Sequence, residues 1–452
     1  MNLDFFFSPK SVAVVGASHT PGKVGYSILH NLLKNFTGNI YPVNPDTTPI
    51  LGKTVYPSIK SISNAVDLVV IAIPAINVPK VLKECVDKKI KAVVIISGGF
   101  SEIGEKGKKL EEKCKKIIKG KKTKVIGPNC IGIYDSSSGL DTLFLTEERM
   151  GRPKPGNIAF ISQSGAVGST VLDWLSGEKI GISKFVSYGN AMDINETDFL
   201  EYFSNDDNTK VIAVYLEGIK AYGKKFIEAL NKTTARKPVV ILKAGKTEKG
   251  SKAVASHTGS LAGNARIYSA VFKQFGAIEA NDWEELFDFC KAFSTQPLPK
   301  GDDVLIVTDG GGFGVLAADE AERQGIKLKE PSNSIKKYLY KKVPPYVSLH
   351  NPIDLSGDVN AERYKVVIES CIKQYDGIMP VVLFQVPLLE ESIVDILVEM
   401  KKYGKPILCC ASGGKFTENL SDKLEANGIP VYPSPERAVK TFVAMLKYAR
   451  LM

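Results

Sequence analysis

The sequence predicts an α/β protein with three consecutive parallel-sheet domains, the first of them Rossmann-like. Short apolar runs rich in β-branched residues alternate with amphipathic helical patterns along the chain, as expected for parallel strands with helices on both faces of a sheet. A strand, a glycine-rich loop and a helix also recur in matching form around residues 162–168 and 308–314. This recurrence indicates an internal duplication of the unit that opens the second and the third domain.

The first domain, predicted over residues 1–138, contains five apolar runs of strand length. Helical patterns at 26–34 and 79–88 lie between these runs. Strands separated by helices in this way form a parallel, doubly wound sheet. The predicted strands are 11–16, 40–44, 68–73, 92–97 and 124–127.

Two further series of strands and helices predict a second domain over 157–295 and a third over 302–452. The segments between the domains, 139–156 and 296–301, are rich in glycine, proline and charge without periodicity, which is typical of linkers. The second domain has predicted strands at 158–162, 184–187, 211–216 and 239–243 and a helix at 265–275. The third has strands at 304–308, 378–384 and 406–410 and a final helix at 436–448.

Composition limits the classes of function. Lys and Arg exceed Asp and Glu by 59 to 49, but no block of lysines is interleaved with aromatic residues, so nucleic acid is not an expected partner. Seven cysteines without a C-x-x-C pair indicate reduced thiols and a cytoplasmic location. The longest apolar stretch, 65–76, is short and contains a charge and a proline, so neither a membrane span nor a membrane partner is expected.

His257 is the first candidate for chemistry, because only four histidines occur in the chain and this one stands in a segment of small residues, 252–263. The segment lies between a predicted strand and a predicted helix, and we expect it to be a flexible loop. Neutral imidazole is a nucleophile near pH 7. The loop alone does not exclude the alternative that His257 is an ordinary solvent-exposed histidine without a catalytic role.

The two recurring loops are candidate anion sites. A glycine-rich turn that leads from a strand into a helix leaves free N–H groups at the helix N-terminus, where the helix dipole favours negative charge. Two such ends on one phosphate could stabilise a phosphohistidine without a metal; tight packing turns are the alternative. The candidate phosphate-binding residues are Ser162, Ser164, Gly165, Ala166, Gly311, Gly312 and Gly314.

Glu217 is the second catalytic candidate, since it ends the apolar run 211–216. Ligand sites of open α/β sheets lie at the carboxyl ends of strands, and a carboxylate there could hold the second ring nitrogen of His257. An exposed glutamate at a strand end is the alternative.

The loop 16–25 follows the first strand and is rich in glycine, but its spacing is not G-x-G-x-x-G, so a dinucleotide site is doubtful. Asp46, near the end of the second strand, is a poor match for the ribose-binding carboxylate. Lys23 suggests phosphate contact instead. No P-loop motif occurs in the sequence.

The chain is identified from its motifs as a member of the NDP-forming acyl-CoA synthetases, the family that includes succinyl-CoA synthetase. The resemblance is strongest to α subunits of the ADP-forming, acetate-type branch, and it spans the whole chain in order. Segments 16–25, 43–45, 73–75, 97–100 and 127–132 resemble the family's CoA-binding domain. Segments 161–168 and 256–260, with Glu217, resemble its phosphate helix, phosphorylated histidine and histidine-orienting glutamate. Segments 308–314 and 351–357 resemble its third, ligase-type domain.

The resemblance implies that the second and third domains are flavodoxin-like ligase domains and that no metal is bound by this chain. It implies the reversible reaction of acyl-CoA, phosphate and ADP to the acid, CoA and ATP, through acyl phosphate and phosphohistidine. ADP or ATP and Mg²⁺ would bind an ATP-grasp β subunit, in an α2β2 assembly, because no such domain is found in the sequence. The implied CoA-binding residues are Gly16, Ala17, Ser18, Lys23, Val24, Gly25, Asn44, Pro45, Ile73, Pro74, Ser97, Gly98, Gly99 and Asn129.

Other functions remain open at this point. A succinate-type CoA ligase would differ in the acid, a CoA-binding scaffold would bind CoA without phosphorylation of His257, and an NAD(P)-dependent oxidoreductase would bind NAD(P) in the first domain. Apart from the resemblance, the residues themselves do not predict the preferred acyl group, the direction of the reaction, the base of the nucleotide or the oligomer size.

Overall fold

The computed structural model describes residues 3–258 and 264–452. The chain divides into two compact units, Met1–Trp283 and Glu284–Met452. The first unit contains two sheets and the second contains one. The three mostly parallel sheets, each covered by helices, confirm the predicted fold class. No helix within the described ranges is long and apolar enough to cross a bilayer.

The first sheet is parallel throughout and has the strand order β2-β1-β3-β4-β5. In this doubly wound order the chain reverses direction across the sheet between β1 and β3, and ligands bind outside the carboxyl ends of the strands at that point. The strands are β1 (Ser11–Val15), β2 (Asn39–Val43), β3 (Leu68–Ile71), β4 (Ala92–Ile95) and β5 (Lys124–Ile126), and the helices of this part are α1 (Asp4–Phe7), α2 (Val24–Asn35), α3 (Val78–Asp87) and α4 (Glu105–Ile118).

The second sheet has seven strands in the order β12-β11-β10-β8-β9-β6-β7. Strands β8 to β12 are parallel, and the hairpin of β6 and β7 adds an antiparallel edge. The strands are β6 (Ile133–Asp135), β7 (Leu140–Asp141), β8 (Pro155–Ser162), β9 (Ile182–Ser187), β10 (Val211–Leu216), β11 (Val239–Lys243) and β12 (Ile278–Ala280). The helices are α5 (Gly165–Gly177), α6 (Glu196–Ser204), α7 (Gly223–Thr234), α8 (Glu248–Thr258) and α9 (Ala265–Gln274).

The predicted linker 139–156 is wrong in part, because it contributes β7 and several ordered contacts. Leu143 is buried, and the buried amide of Asn31 on α2 donates to its carbonyl oxygen at 2.8 Å. Arg152 pairs with Asp141 at 2.7 Å, and both side chains are buried. The glycines and prolines hid this structure, since β7 is only two residues long and has no periodicity to detect.

The two sheets of the first unit share one hydrophobic core. A single cluster contains Val12 and Val70 of the first sheet together with Ile161 and Val214 of the second. The chain start joins the same core, because the ring of Phe7 stacks at 5.3 Å on Tyr202 of α6.

The expectation of a flexible loop around His257 is wrong over residues 252–258, which belong to helix α8 (Glu248–Thr258). Residues 259–263 of the same segment lie outside the described residues. Alanine, lysine and glutamate in this segment favour a helix, and Lys252 pairs with Glu248 one turn earlier at 2.7 Å. The helix lies against the 3-10 turn Ser101–Ile103, which follows β4 of the first sheet. The small residues, taken as a sign of flexibility, include good helix formers.

The second unit has a parallel sheet in the order β14-β13-β15-β16-β17. Its strands are β13 (Val304–Thr308), β14 (Ile353–Asp354), β15 (Gly377–Val381), β16 (Cys409–Cys410) and β17 (Val431–Tyr432). The helices are α10 (Trp283–Thr295), α11 (Gly311–Arg323), α12 (Asn333–Leu339), α13 (Ala361–Cys371), α14 (Ile393–Glu399), α15 (Lys415–Ala426) and α16 (Pro435–Ala449).

Helix α10 packs in the second unit although its sequence lies within the second predicted domain. Its Asp288 accepts two hydrogen bonds, at 2.6 and 2.8 Å, from the guanidinium of Arg437 on α16. Lys291 on the same helix donates to Glu425 of α15 at 2.8 Å. The three domain boundaries themselves stay a prediction.

Candidate functional site

A cavity of about 1080 Å³ opens in the first unit, at the carboxyl ends of strands from both of its sheets. This is the position expected for a ligand of doubly wound sheets, and the volume suits a large ligand. The family resemblance implied fourteen CoA-binding residues, and all of them except Gly99 line the cavity. Ser164, Gly165, Ala166 and Glu217 line it as well.

The loop after β1 forms one wall of the cavity. Gly16 has a φ of 89°, a conformation that favours glycine, and its N–H donates to the carbonyl of Val43 at 2.9 Å. A Cβ on Gly25 would lie 1.9 Å from the carbonyl oxygen of Gly16, so the start of α2 packs directly on the loop. Lys23 precedes α2 and lines the cavity, so a cationic side chain stands at a helix N-terminus, where the helix dipole also favours negative charge.

Polar side chains hold the neighbouring loops to this wall. Asn44 donates to the carbonyl of Ala17 at 2.7 Å, and the hydroxyl of Ser97 donates to the carbonyl of Ile73 at 2.5 Å. Gly99, which does not line the cavity, donates its N–H to Glu102. Asp46 is also absent from the cavity wall: its carboxylate accepts from the N–H and the hydroxyl of Thr48 at 3.0 and 2.7 Å.

The loop between β8 and α5 forms the opposite wall. Ser164 caps α5 by accepting from the N–H of Val167, and the buried hydroxyl of Ser162 donates to the carbonyl of Ser164 at 2.7 Å. These contacts fix the first turn of α5, whose residues Gly165 and Ala166 face the cavity. Ser162 supports this turn from below and does not line the cavity.

Glu217 follows β10 at the same edge and is buried. Its N–H and that of Gly218 both donate to the side-chain oxygen of Gln163, at 2.8 and 3.0 Å. The ammonium of Lys243, at the end of β11, donates to the Glu217 carbonyl at 2.8 Å. The backbone of Glu217 is therefore fixed on both sides.

Several titratable groups interact with the Glu217 carboxylate. Burial lowers the pKa of the Lys243 ammonium, while the Glu217 carboxylate opposes that shift. Burial and Glu217 together raise the pKa of Tyr215 to about 12. Burial also raises the pKa of Tyr188 well above its ordinary value, and the carboxylates of Glu196 and Glu217 add to this shift. Groups that are shielded from water in this way interact more strongly than the same groups at an open surface.

The remaining predicted residues lie elsewhere. The backbone of His257 belongs to α8, but its side chain lies outside the described residues. Gly311, Gly312 and Gly314 stand at the start of α11 in the second unit. Their part in phosphate binding, like the roles of all the predicted site residues, stays a prediction.

Sequence reasoning missed several residues of the cavity. Gln163 lines it, and its buried Nε2 has no hydrogen-bond partner among the residues that the structure describes. Asn190 and the lysines Lys80 and Lys220 also line it. Gln163 lies between the predicted phosphate-binding residues Ser162 and Ser164, and Lys220 lies three residues after Glu217. Their proximity to predicted site residues could have identified them.

Within residues 3–258 and 264–452, no group of three or more His, Cys, Asp or Glu side chains is placed to hold a metal ion.

Family models match the chain in three consecutive stretches. The "CoA binding domain" matches residues 10–136, the "Succinyl-CoA ligase like flavodoxin domain" matches 155–293, and the "Ligase-CoA domain" matches 304–452.

Whole proteins resemble the chain along its full length. The α subunit of acetate–CoA ligase [ADP-forming] I from Pyrococcus furiosus is 41% identical, over 100% of this chain and 98% of the relative. Acetate–CoA ligase [ADP-forming] from Methanocaldococcus jannaschii is 42% identical over 99% of this chain, which spans 63% of that longer protein. A solved structure of acetyl-coenzyme A synthetase 1 from Ca. Korarchaeum cryptofilum, in complex with phosphate and ADP, matches with a TM-score of 0.92 and 36% identity, over 99% of this chain and 97% of the other.

Proposed function

Because this chain belongs to the ADP-forming branch of the NDP-forming acyl-CoA synthetases, we propose that it catalyses the acyl-CoA half of that reaction. The observation that supports this most directly is the cavity. Its wall contains the predicted CoA-binding residues, except Gly99, together with Glu217 and the start of α5. A single cavity of this kind can hold a thioester and a phosphate together. Acetate is the proposed acid, on the names of the relatives.

The cavity fits CoA by its size and its lining. Lys23 before α2 and Lys80 on α3 supply positive charge for phosphate groups, and Ile73, Pro74 and Val81 supply an apolar surface. NAD fits less well, because Asp46 is engaged with Thr48 and does not line the wall. This favours CoA over the oxidoreductase alternative.

In the first step, an oxygen of phosphate attacks the thioester carbonyl carbon, a C–O bond forms, and the C–S bond breaks. The products are acyl phosphate and the CoA thiolate, which takes up a proton. Free N–H groups at the start of α5, at Gly165 and Ala166, bind the phosphate oxygens. Whether Gly311, Gly312 and Gly314 bind the same phosphate stays a prediction from the sequence.

In the second step, a ring nitrogen of His257 attacks the phosphorus, and the bond to the acyl oxygen breaks to release the carboxylate. Glu217 holds the other ring nitrogen and stabilises the charge on the imidazole. The phosphoryl group then passes to ADP, which we propose is bound with Mg²⁺ by a separate ATP-grasp β subunit in an α2β2 assembly. The α-subunit name of one relative and the greater length of another support a divided enzyme. A cytoplasmic location remains part of the proposal.

Labelling tests the proposal. The chain incubated with acetyl-CoA and labelled phosphate should acquire an acid-labile, base-stable label, and ATP should label it only when the partner is present. The variant His257→Ala should remain unlabelled. Equal labelling of that variant would remove His257 from the reaction.

Calorimetry distinguishes the two alternatives that lack this chemistry. CoA should bind and NAD should not, and Gly25→Ala should abolish the binding by displacing the loop of Gly16. CoA binding without any label on His257 would identify a CoA-binding scaffold, and tight NAD binding without CoA binding would identify a nicotinamide-dependent enzyme.

A further inference from the structure

The turn that begins at Glu217 is held by side chains from three other elements. Five successive backbone N–H groups, from residue 217 to residue 221, each donate to a side-chain oxygen. Gln163 accepts the first two at 2.8 and 3.0 Å. The hydroxyl of Tyr268 accepts the third at 3.2 Å, and one carboxylate oxygen of Glu196 accepts the last two at 2.7 and 3.0 Å.

Burial of the Glu196 carboxyl group at this position is energetically unfavourable. Its side chain is fully buried, and burial raises the pKa of its carboxyl group although the two backbone N–H groups oppose the shift. Burying a carboxylate is unfavourable unless hydrogen bonds compensate it. The buried carboxylate of Glu196 and its two hydrogen bonds therefore fix the backbone of this turn in one conformation.

The fixed turn presents two charged side chains to the cavity, Glu217 and Lys220. Burial lowers the pKa of the Lys220 ammonium, and the carboxylates of Glu196, Glu111 and Glu217 oppose that shift. The group therefore lies at a partly dehydrated wall among carboxylates.

Lys220 differs in location from the other lysines of the cavity wall. Lys23 and Lys80 come from the first sheet's side, whereas Lys220 comes from the second sheet, where the start of α5 lies. We infer that Lys220 is a further ligand of the reacting phosphate, and that Glu196 is a positioning residue that holds Lys220 and Glu217 in place. This inference rests on the proposed function.

The proposed chemistry favours a cation at this position. Phosphate enters with one to two negative charges, next to the carboxylate of Glu217, and the N-terminus of α5 supplies only about half a positive charge. An ammonium in a low-dielectric site compensates the remaining charge more effectively than the same group in water. Lys220 can stay with the phosphoryl group from the attack on the thioester to its transfer to His257.

The test measures the initial rate of His257 labelling against phosphate concentration at saturating acetyl-CoA. Lys220→Met should raise the phosphate concentration for half-maximal rate about tenfold or more, as expected for the loss of a hydrogen bond to a charged group. CoA affinity by calorimetry should change much less, because Lys220 follows a strand of the second sheet, whereas the proposed CoA-binding loops follow strands of the first sheet. Lys220→Arg should recover part of the loss, since it keeps the charge.

The matched control is Lys224→Met, which removes an exposed lysine four residues later, at the start of α7 and outside the cavity wall. It should leave both phosphate and CoA parameters unchanged. Lys220→Met with an unchanged phosphate dependence would overturn the inference and leave the proposed function intact. Loss of CoA binding together with labelling would also overturn it, by showing a general structural role. If the wild-type chain itself acquires no label, the proposed function fails and this inference fails with it.

The role of Glu196 is tested separately. Glu196→Ala leaves two partly buried N–H groups without their acceptor and should reproduce the shift in phosphate dependence, with little change in CoA affinity. Glu196→Gln keeps an acceptor oxygen and should restore most of the wild-type value. Equal defects in both variants would show that charge, not positioning, is what Glu196 contributes.

Discussion

Replacement of Gln163 by Met gives the sharpest test of the site's architecture. Met keeps the length of the side chain but has no oxygen to accept from the N–H groups of Glu217 and Gly218. Each buried N–H left without a partner costs about 1–3 kcal/mol. The turn should therefore lose roughly 2–6 kcal/mol of local stability, while the strands on either side keep their own hydrogen bonds.

Hydrogen exchange followed by mass spectrometry measures this loss. Since about 1.4 kcal/mol corresponds to a factor of ten, exchange at 217 and 218 should accelerate by about 30-fold or more, and labelling of His257 should fall with it. Gln296→Met is the matched control, because Gln296 accepts from the N–H of Ile407 at 2.8 Å within the second unit. It should affect exchange at Ile407 and leave the turn at Glu217 unchanged. Unaltered exchange at 217 and 218 in the Gln163 variant would refute the reasoning.

Three further predictions concern the same chemistry and the second unit. Glu217→Gln should retain the fold and CoA affinity but reduce His257 labelling by about 10–100-fold; unchanged labelling at early times would remove Glu217 from the site. Gly165→Val and Gly311→Val should both abolish the label, because an added Cβ would lie 2.7 Å from a neighbouring side chain in each case; normal labelling of the second variant alone would exclude its loop from phosphate binding. Burial raises the pKa of Asp309 from 3.8 to about 6, so the folded state holds its proton more tightly and the second unit should lose roughly 2 kcal/mol as pH rises from about 4 to 6. Asp309→Asn should remove this dependence in thermal melts at the two pH values, and an unchanged difference would show that another group titrates.

The central strands could be predicted from the sequence because they are continuous runs of buried β-branched residues. Short edge strands of the second and third sheets could not. Strand β12, at 278–280, and strand β17, at 431–432, have only three and two residues and contain too few positions for a pattern. Helix α8 was missed for another reason. The serine and glycine residues among its alanines were interpreted as a sign of a flexible loop, although the alanines, lysines and glutamate favour a helix.

The sequence predicted those cavity residues that lie in loops after the carboxyl ends of strands. Lys23, Gly165 and Glu217 all occupy such positions, and all three line the cavity. Glu196 and Tyr268 were missed because their importance lies in hydrogen bonds to a turn that is distant in the sequence. Such contacts leave no local pattern in one sequence.

The hairpin of β6 and β7 has a consequence for how this protein can be divided. The predicted boundary at residue 138 falls between its two strands, and the cluster of buried residues on either side belongs to both sheets. A fragment that ends at this boundary would carry an unpaired strand and an exposed apolar face, and would aggregate or remain unfolded. The first 283 residues should therefore melt in one cooperative transition, so an exchange of acyl-CoA specificity between relatives by recombination would have to transfer this whole unit.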